Sequence, residues 1–225
     1  MLSAAVALVF GFLGAALWSW TGMADARTEK YLLSNPHILP KMADAYQKQD
    51  ARQRLAGIGE LVRQPFPGAV LGNPEGSRVL VEFTDYNCPY CQASQADVAR
   101  LIAEDPELKV VIREWPIFQG SDLASRMALA AALQGKYAEF HDALFRLSPA
   151  TPETINQAAR EAGLDLEQAQ KDGVSDKVEA ELASNNSLAQ QLGFTGTPSW
   201  VTADQAFEGA IGFEGLKRAI EGAGD

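Results

Sequence analysis

The stretch Val79-Leu80-Val81-Glu82-Phe83-Thr84-Asp85-Tyr86-Asn87-Cys88-Pro89-Tyr90-Cys91 decides the fold of this chain. Its first residues form a short apolar, β-branched run, which predicts a buried strand. A helix is predicted from Cys88 to about Glu104, and LKVVIREW then predicts a second strand over Leu108 to Trp115. Strand, helix and strand in this order predict a parallel pair and an α/β domain.

Outside this unit, the pattern predicts a sheet interrupted by helices. The domain is expected to begin after Pro65-Phe66-Pro67, where short apolar runs replace helical spacing, and to cover residues 66–225. Nearly everything from Ser121 to Gly193 has helical periodicity, which predicts a helical insertion at about 118–193. Two short strands around Ala203-Asp204 and a terminal helix from Phe213 to Glu221 should complete the domain.

The N-terminal segment from Met1 to Trp20 has no charged side chain and is long enough to cross a bilayer as a helix. Ala24-Asp25-Ala26 offers a small-x-small cleavage site, so residues 1–26 are expected to be a signal peptide or a retained inner-membrane anchor. A buried core helix is the third interpretation of the apolar run.

Residues 27–65 are expected to form a helical arm or linker between this segment and the domain. Leu39, Met42 and Tyr46 follow helical spacing, as do Leu55, Ile58 and Val62, but the two groups do not share a heptad register. A solvated helix, a stalk and an oligomerisation arm all agree with this pattern.

Charge and cysteine content narrow the function. The net charge of −10 would repel a phosphate backbone, so nucleic acid is excluded as a partner. The two cysteines lie three positions apart, too few for a disulfide framework or a structural zinc site. A redox pair is the favoured interpretation; a Cu(I)-binding pair and an inert structural disulfide are the alternatives.

The position of the cysteines at a predicted helix start indicates their roles. Unpaired N–H groups and the helix dipole favour an anion there, so Cys88 is expected to be an exposed, low-pKa nucleophile. Pro89 suits the first helical position because its missing N–H is not needed there. Cys91 falls one turn later, on the inward side, and is expected to resolve the mixed disulfide.

Glu82 interrupts the apolar strand. A carboxylate buried on both faces of a sheet is costly unless it has a task, and a proton relay for Cys91 is that expected task. An outward-facing position at a sheet edge is the alternative.

Combined with Thr195-Gly196-Thr197-Pro198-Ser199-Trp200, the stretch around the cysteines resembles the DsbA-like branch of the thioredoxin superfamily from about Pro65 to the C-terminus. The resemblance implies a thioredoxin-like fold with a helical insertion, and catalysis by Cys88 and Cys91 with Glu82 as the buried acid. It also implies that Pro198 is a cis-proline, which leaves Thr197 backbone groups free to pair with an extended substrate.

Further details of the resemblance concern the role within the family. Pro89, Tyr90 and Thr197 resemble the glutaredoxins and the periplasmic isomerase DsbG more than DsbA, so oxidation, isomerisation and reduction all stay open. Together with Pro198, these three residues are expected to contact substrate. The helical arm resembles that of ScsC-type proteins, some of which oligomerise through it.

These observations predict an extracytoplasmic or periplasmic thiol-disulfide oxidoreductase that acts on cysteine-containing exported proteins. A membrane redox partner and homo-oligomerisation through the arm are expected. No cofactor and no metal are expected. The alternative function is a Cu(I)-binding or chaperone module that uses the same cysteine pair. His141 and His37 are left outside the site, because a helical or linker histidine is more often a packing or surface residue.

Overall fold

A computed structural model of the chain describes residues 7, 10–15 and 23–222. The chain divides into two compact units, residues 1–47 and 48–225. Most of the predicted membrane segment at 1–20 lies outside the described residues. Among the residues that are described, no helix is both long enough and apolar enough to cross a membrane. The domain boundaries predicted at residues 26 and 65 stay predictions.

The first unit contains helix α1 (Met23–Ser34) and the beginning of helix α2 (Ile38–Leu55). The helical conformation is interrupted between them at residues 35–37, which include Pro36. Several large apolar side chains of this unit are exposed, namely Tyr31, Leu33, Leu39, Met42 and Tyr46. The predicted helical character of the arm is confirmed, and helix α3 (Gly59–Arg63) follows α2 in the second unit.

The second unit is built on a mixed sheet. Within the described residues it has five strands in the order β1-β3-β2-β4-β5. They are β1 (Val70–Gly72), β2 (Arg78–Thr84), β3 (Leu108–Glu114), β4 (Ser199–Val201) and β5 (Ala206–Glu208). Strands β2 and β3 are parallel, as predicted, and β1, β4 and β5 join by antiparallel pairing. Strand β2 therefore lies at the centre of the sheet, directly before the cysteines.

Helices cover both faces of this sheet. Helix α4 (Pro89–Glu104) joins β2 to β3, and α10 (Gly212–Glu221) ends the described fold. The predicted insertion is confirmed as helical between β3 and β4. It consists of α5 (Ser121–Leu133), α6 (Tyr137–Leu147), α7 (Pro152–Glu161), α8 (Leu166–Gly173) and α9 (Asp176–Gln191).

Strand alternation divides the core between the two faces. Leu80, Val110 and Ile112 face the larger cluster, which contains both cysteines and most of the insertion. Phe83 and Val111 face a smaller cluster formed with α2, α3 and α9. Residues 82, 84, 112 and 114 share the register of Leu80, so Glu82, Thr84 and Glu114 point toward the cysteine side of the sheet.

Arg113 connects elements on the opposite face. Its buried guanidinium donates to the Val62 carbonyl at 3.1 Å and pairs with Glu181 at 2.8 Å. A further 3.1 Å hydrogen bond reaches Asn185. The Val62 carbonyl at the end of α3 and a carboxylate on α9 are thus satisfied by one side chain.

Candidate active site

The two cysteines lie where β2 gives way to α4. Cys88 is the N-cap residue with an extended backbone (φ −84°, ψ 117°), and Pro89 occupies the first helical turn. The Cys88 amide donates to the Asp85 carbonyl at 3.1 Å, which closes a tight turn after the strand. Proline is tolerated here because the first N–H groups of a helix have no intrahelical partner. The predicted strand–Cys-Pro-Tyr-Cys–helix arrangement is confirmed.

Both thiols are free and buried in this structure. The expectation that Cys88 is exposed is wrong: its relative exposure is 1%. The reason is tertiary, because the backbone of Thr197 lies against the sulfur and the Cys88 thiol donates to the Thr197 carbonyl at 3.1 Å. That carbonyl is therefore engaged by Cys88 in the dithiol form, whereas the resemblance implies that it is free for substrate.

The two thiols differ in acidity in the predicted direction. The pKa of Cys88 is lowered to about 6, chiefly by a hydrogen bond from the Cys91 thiol and further by the Thr197 side chain and the amides of Cys91 and Tyr90. Burial works against this lowering. The pKa of Cys91 is raised far above its usual value, first by burial and then by its hydrogen bond to Cys88 and the charge of Glu82. Cys88 can thus be a thiolate at neutral pH while Cys91 keeps its proton.

Glu82 lies in the central strand with no exposed surface, so the alternative of an outward-facing edge position is wrong. Burial raises its pKa to about 8, the charges of Glu114 and Cys88 add to the rise, and the Thr84 hydroxyl opposes it. Both carboxyl oxygens of Glu82 lack a hydrogen-bond partner among the described residues. A buried carboxyl of this kind, electrostatically coupled to Cys91, is suited to exchange a proton with that thiol.

The expected substrate-contacting residues surround Cys88. The Thr197–Pro198 bond is cis, as the resemblance implied, and both residues are buried. Pro89 is exposed, and Tyr90 is exposed to 64%. The structure therefore places Pro89 and Tyr90 on the surface at the helix start, whereas Thr197 and Pro198 are buried. The roles of these residues toward substrate stay predictions.

Asp85 is a site residue that the sequence analysis missed. One of its carboxylate oxygens accepts from the amides of Ile117 and Phe118 at 2.8 and 2.9 Å. The other accepts from the Asn87 amide at 2.8 Å and the Ser121 hydroxyl at 2.5 Å. This carboxylate holds the loop after β3, with its exposed Ile117 and Phe118, against the turn that leads to Cys88. The sequence feature that could have revealed Asp85 is an acidic residue directly after a predicted buried strand.

Glu114 was missed as well, and His141 was left outside the site. Both are fully buried on the cysteine side of the sheet. Tyr86, two residues before Cys88, contacts each of them at 3.1 Å through its hydroxyl. Glu114 ends an apolar strand as Asp85 follows one, so the same signal could have found it.

No group of three or more His, Cys, Asp or Glu side chains is placed to hold a metal ion in residues 7, 10–15 and 23–222. The alternative of a Cu(I)-binding module gains no support from this arrangement.

Comparison with protein-family models matches residues 79–221 to the DSBA-like thioredoxin domain. The chain belongs to this family. Its members are thiol-disulfide oxidoreductases with a thioredoxin-like α/β fold, which agrees with the thiol pair and the sheet described above.

Solved structures of oxidoreductases resemble this DSBA-like chain. A thioredoxin-like oxidoreductase of Silicibacter pomeroyi DSS-3 is 48% identical, with 68% of this chain and 90% of that chain covered and a TM-score of 0.66. A periplasmic thioredoxin-like protein of Salmonella enterica serovar Typhimurium is 26% identical, covering 74% and 95%, with a TM-score of 0.65. Proteus mirabilis ScsC in a transitional conformation is 25% identical, covering 91% and 97%, with a TM-score of 0.68.

Curated relatives of the DSBA-like chain are longer proteins. A Na(+)/H(+) antiporter NhaA of Salinispora tropica is 26% identical over 158 residues, which is 68% of this chain but 24% of the antiporter. The chain thus spans about a quarter of the length of the curated relatives that it matches.

Proposed function

We propose that this protein is an extracytoplasmic thiol-disulfide oxidoreductase that oxidises thiols to disulfides, or reshuffles disulfides, in exported proteins through Cys88 and Cys91. The observation that carries the proposal is the pairing of a Cys88 thiol with a pKa lowered to about 6 and a buried, protonated Cys91 at one helix start. A lowered nucleophile pKa stabilises the reduced form, in which Cys88 is a thiolate, and this makes the disulfide form a better oxidant.

In the oxidising direction, a client thiolate attacks Cys88 of the internal disulfide and releases Cys91 as the leaving thiolate, which takes up a proton. A second client thiolate then attacks the client sulfur of the mixed disulfide, and Cys88 leaves as a thiolate. The client loses two electrons to the enzyme, so a membrane redox partner is proposed to remove them again. Isomerisation uses the same mixed disulfide without net electron transfer.

Glu82 is proposed to exchange the proton of Cys91 during this cycle. Its pKa of about 8 allows it to hold a proton at neutral pH and to donate it when Cys91 leaves as a thiolate. Pro89, Tyr90, Thr197 and Pro198 are proposed to contact the client segment next to the mixed disulfide, and the exposure of the first two supports this assignment.

The location and assembly belong to the same proposal. The uncharged segment at residues 1–20 supports export or anchoring at the inner membrane, and a similar solved structure is described as periplasmic.

Exposed Leu39, Met42 and Tyr46 lie three and four positions apart on α2, so they share a helix face on which a second copy could pack. Leu39→Glu with Met42→Glu should lower the mass measured by analytical ultracentrifugation; an unchanged mass would contradict the assembly.

Trapping of mixed disulfides tests the central step. Cys91→Ala should accumulate covalent complexes with exported client proteins, because only the resolving thiol is lost, whereas Cys88→Ala should accumulate none. Equal trapping by both variants would refute the assignment. Equilibration of the Cys88–Cys91 couple with glutathione gives the direction: a potential near that of thioredoxin, about −270 mV, would favour reduction instead.

A further inference from the structure

A hydrogen-bonded chain of polar side chains lies inside the core beside the cysteines. It joins Glu114 on β3, Tyr86 before the active-site turn, His141 on α6 and Gln95 on α4. The contacts are Tyr86 Oη to Glu114 Oε1 at 3.1 Å, Tyr86 Oη to His141 Nδ1 at 3.1 Å, and His141 Nε2 to Gln95 Oε1 at 2.9 Å. The first three residues are buried, and Gln95 is half-buried on a surface groove between α4 and α6.

The far end of the chain sets its direction. The Gln95 side chain contacts the backbone carbonyl of Cys91 at 3.2 Å, and a carbonyl only accepts. Gln95 must therefore present its NH₂ group to Cys91 and its oxygen to His141. Because that oxygen also only accepts, the proton of the His141 ring lies on Nε2.

This tautomer determines what Tyr86 does. Burial lowers the pKa of His141 to about 3, so the ring is neutral and has a single N–H. Its Nδ1 atom is an acceptor, and the Tyr86 hydroxyl is the donor that faces it. The single proton of Tyr86 is thus committed to His141.

The contact between Tyr86 and Glu114 then needs a proton from Glu114. Tyr137 donates to the same Glu114 oxygen at 2.6 Å, which that oxygen can accept while it is protonated. Burial raises the pKa of Glu114 to about 8, with a contribution from the charge of Asp85, and this agrees with a carboxylic acid at neutral pH. All donors then point one way: Glu114 to Tyr86, Tyr86 to His141, His141 to Gln95, and Gln95 to the Cys91 carbonyl.

We propose that Glu114 is a positioning residue of the redox site, whose proton holds this chain in one direction and whose ionisation reverses the bond made by Tyr86. When Glu114 loses its proton, the Tyr86 hydroxyl turns to the carboxylate, and His141 Nδ1 loses its donor. Glu114 touches neither thiol; it acts through the turn that carries Cys88 and through its charge.

The charge acts on a crowded site. Titratable groups face Glu114 from the elements around it: Glu82 from β2, Asp85 and Tyr86 from the following turn, and Tyr137 from α6, beside the Ser125 hydroxyl of α5. His141 on α6 is connected to Glu114 through Tyr86. Glu82 and Glu114 lie on the same side of the sheet, and the charge of Glu114 raises the pKa of Glu82. An ionised Glu114 therefore disfavours the negative charge of the reduced site.

Nitrogen NMR of the histidine side chains tests the chain itself. The protein has two histidines, and His37→Gln assigns the remaining signal to His141. In the reduced wild type, His141 should be the Nε2–H tautomer at neutral pH, and its Nδ1 signal should shift as the pH passes about 8. Glu114→Gln should remove that shift, because an amide does not titrate in this range, whereas the control Glu82→Gln should keep it.

The effect of Glu114 ionisation on the reduction potential of Cys88 and Cys91 is measured separately. This effect rests on the proposed function, whereas the NMR result does not. The reduction potential of the wild type should fall more steeply with pH near 8 than that of Glu114→Gln. The reason is that the negative charge formed on reduction causes a fraction of the Glu114 carboxylates to bind a proton. Equal slopes would overturn the positioning role.

Two outcomes of the NMR experiment would refute the proposed chain of hydrogen bonds. One is the Nδ1–H tautomer in the wild type; the other is an Nδ1 signal that stays constant between about pH 6 and 10. Both are read on the wild-type protein, so the proposal stays falsifiable if Glu114→Gln does not fold. Failure of client trapping by Cys91→Ala would contradict the proposed function while leaving the histidine result intact.

Discussion

Removal of the Cys91 thiol should raise the pKa of Cys88, because a hydrogen bond from that thiol is the largest contribution to the lowered value of about 6. A hydrogen bond to a charged group contributes about 1.5–3 kcal/mol, and one pKa unit corresponds to about 1.4 kcal/mol. Cys91→Ala should therefore raise the pKa of Cys88 by about 1–2 units. The Thr197 side chain and the helix-start amides keep it below the value of an ordinary thiol.

The thiolate population makes this shift measurable. With a pKa of about 6, roughly nine-tenths of Cys88 is ionised at pH 7. After the shift, about half to one-tenth would be ionised. Ultraviolet absorbance of the thiolate during a pH titration reports the population directly. Alkylation should slow less than the population falls, because a more basic thiolate is a better nucleophile.

Cys91→Ser is the matched control, since its hydroxyl can still donate to Cys88. It should shift the pKa of Cys88 less than Cys91→Ala does. Thr197→Val removes a weaker contribution and should also produce a smaller shift. If Cys91→Ala titrates within a few tenths of a unit of the wild type, the hydrogen bond between the thiols is not what lowers the pKa of Cys88.

Three further predictions concern the buried charges. Asp85→Asn leaves at least one partly buried N–H without its acceptor, so urea unfolding should show a loss of about 1–3 kcal/mol; a loss below about 0.5 kcal/mol would contradict this role. The folded pKa of Glu82, about 8, lies above its usual 4.5, so the folded state binds more protons between these values and its stability falls as pH rises through them. Glu82→Gln should weaken that fall in unfolding experiments at both ends of the window, and an unchanged pH dependence would count against the buried acid. Arg113→Met leaves the Glu181 carboxylate and the α3 carbonyls without their donor and should cost about 3–5 kcal/mol, whereas Arg113→Lys should cost less; equal stabilities of the two variants would refute the argument.

The sequence predicted the parts of this fold that depend on neighbouring residues. An apolar β-branched run followed by Cys-Pro-Tyr-Cys was sufficient for β2, the start of α4 and the parallel pairing with β3. Strand alternation and the proline preference of a helix start are local properties, so they can be read along the chain. The acidity order of the thiols was also predicted from the helix start, but in the structure the hydrogen bond between the thiols and the burial of Cys91 contribute more to it than the helix-start amides do.

The remaining site depends on residues far apart in sequence. Thr197 meets Cys88 across 109 positions, and Tyr86 meets His141 across 55. No local pattern encodes these contacts, because they depend on how the inserted helices and the cis-proline loop pack against the sheet. Burial of Cys88 and the hydrogen-bonded network of Glu114 follow from that packing. The sequence by itself determined which residues carry the redox chemistry, and the tertiary structure decided which groups surround them and set their protonation.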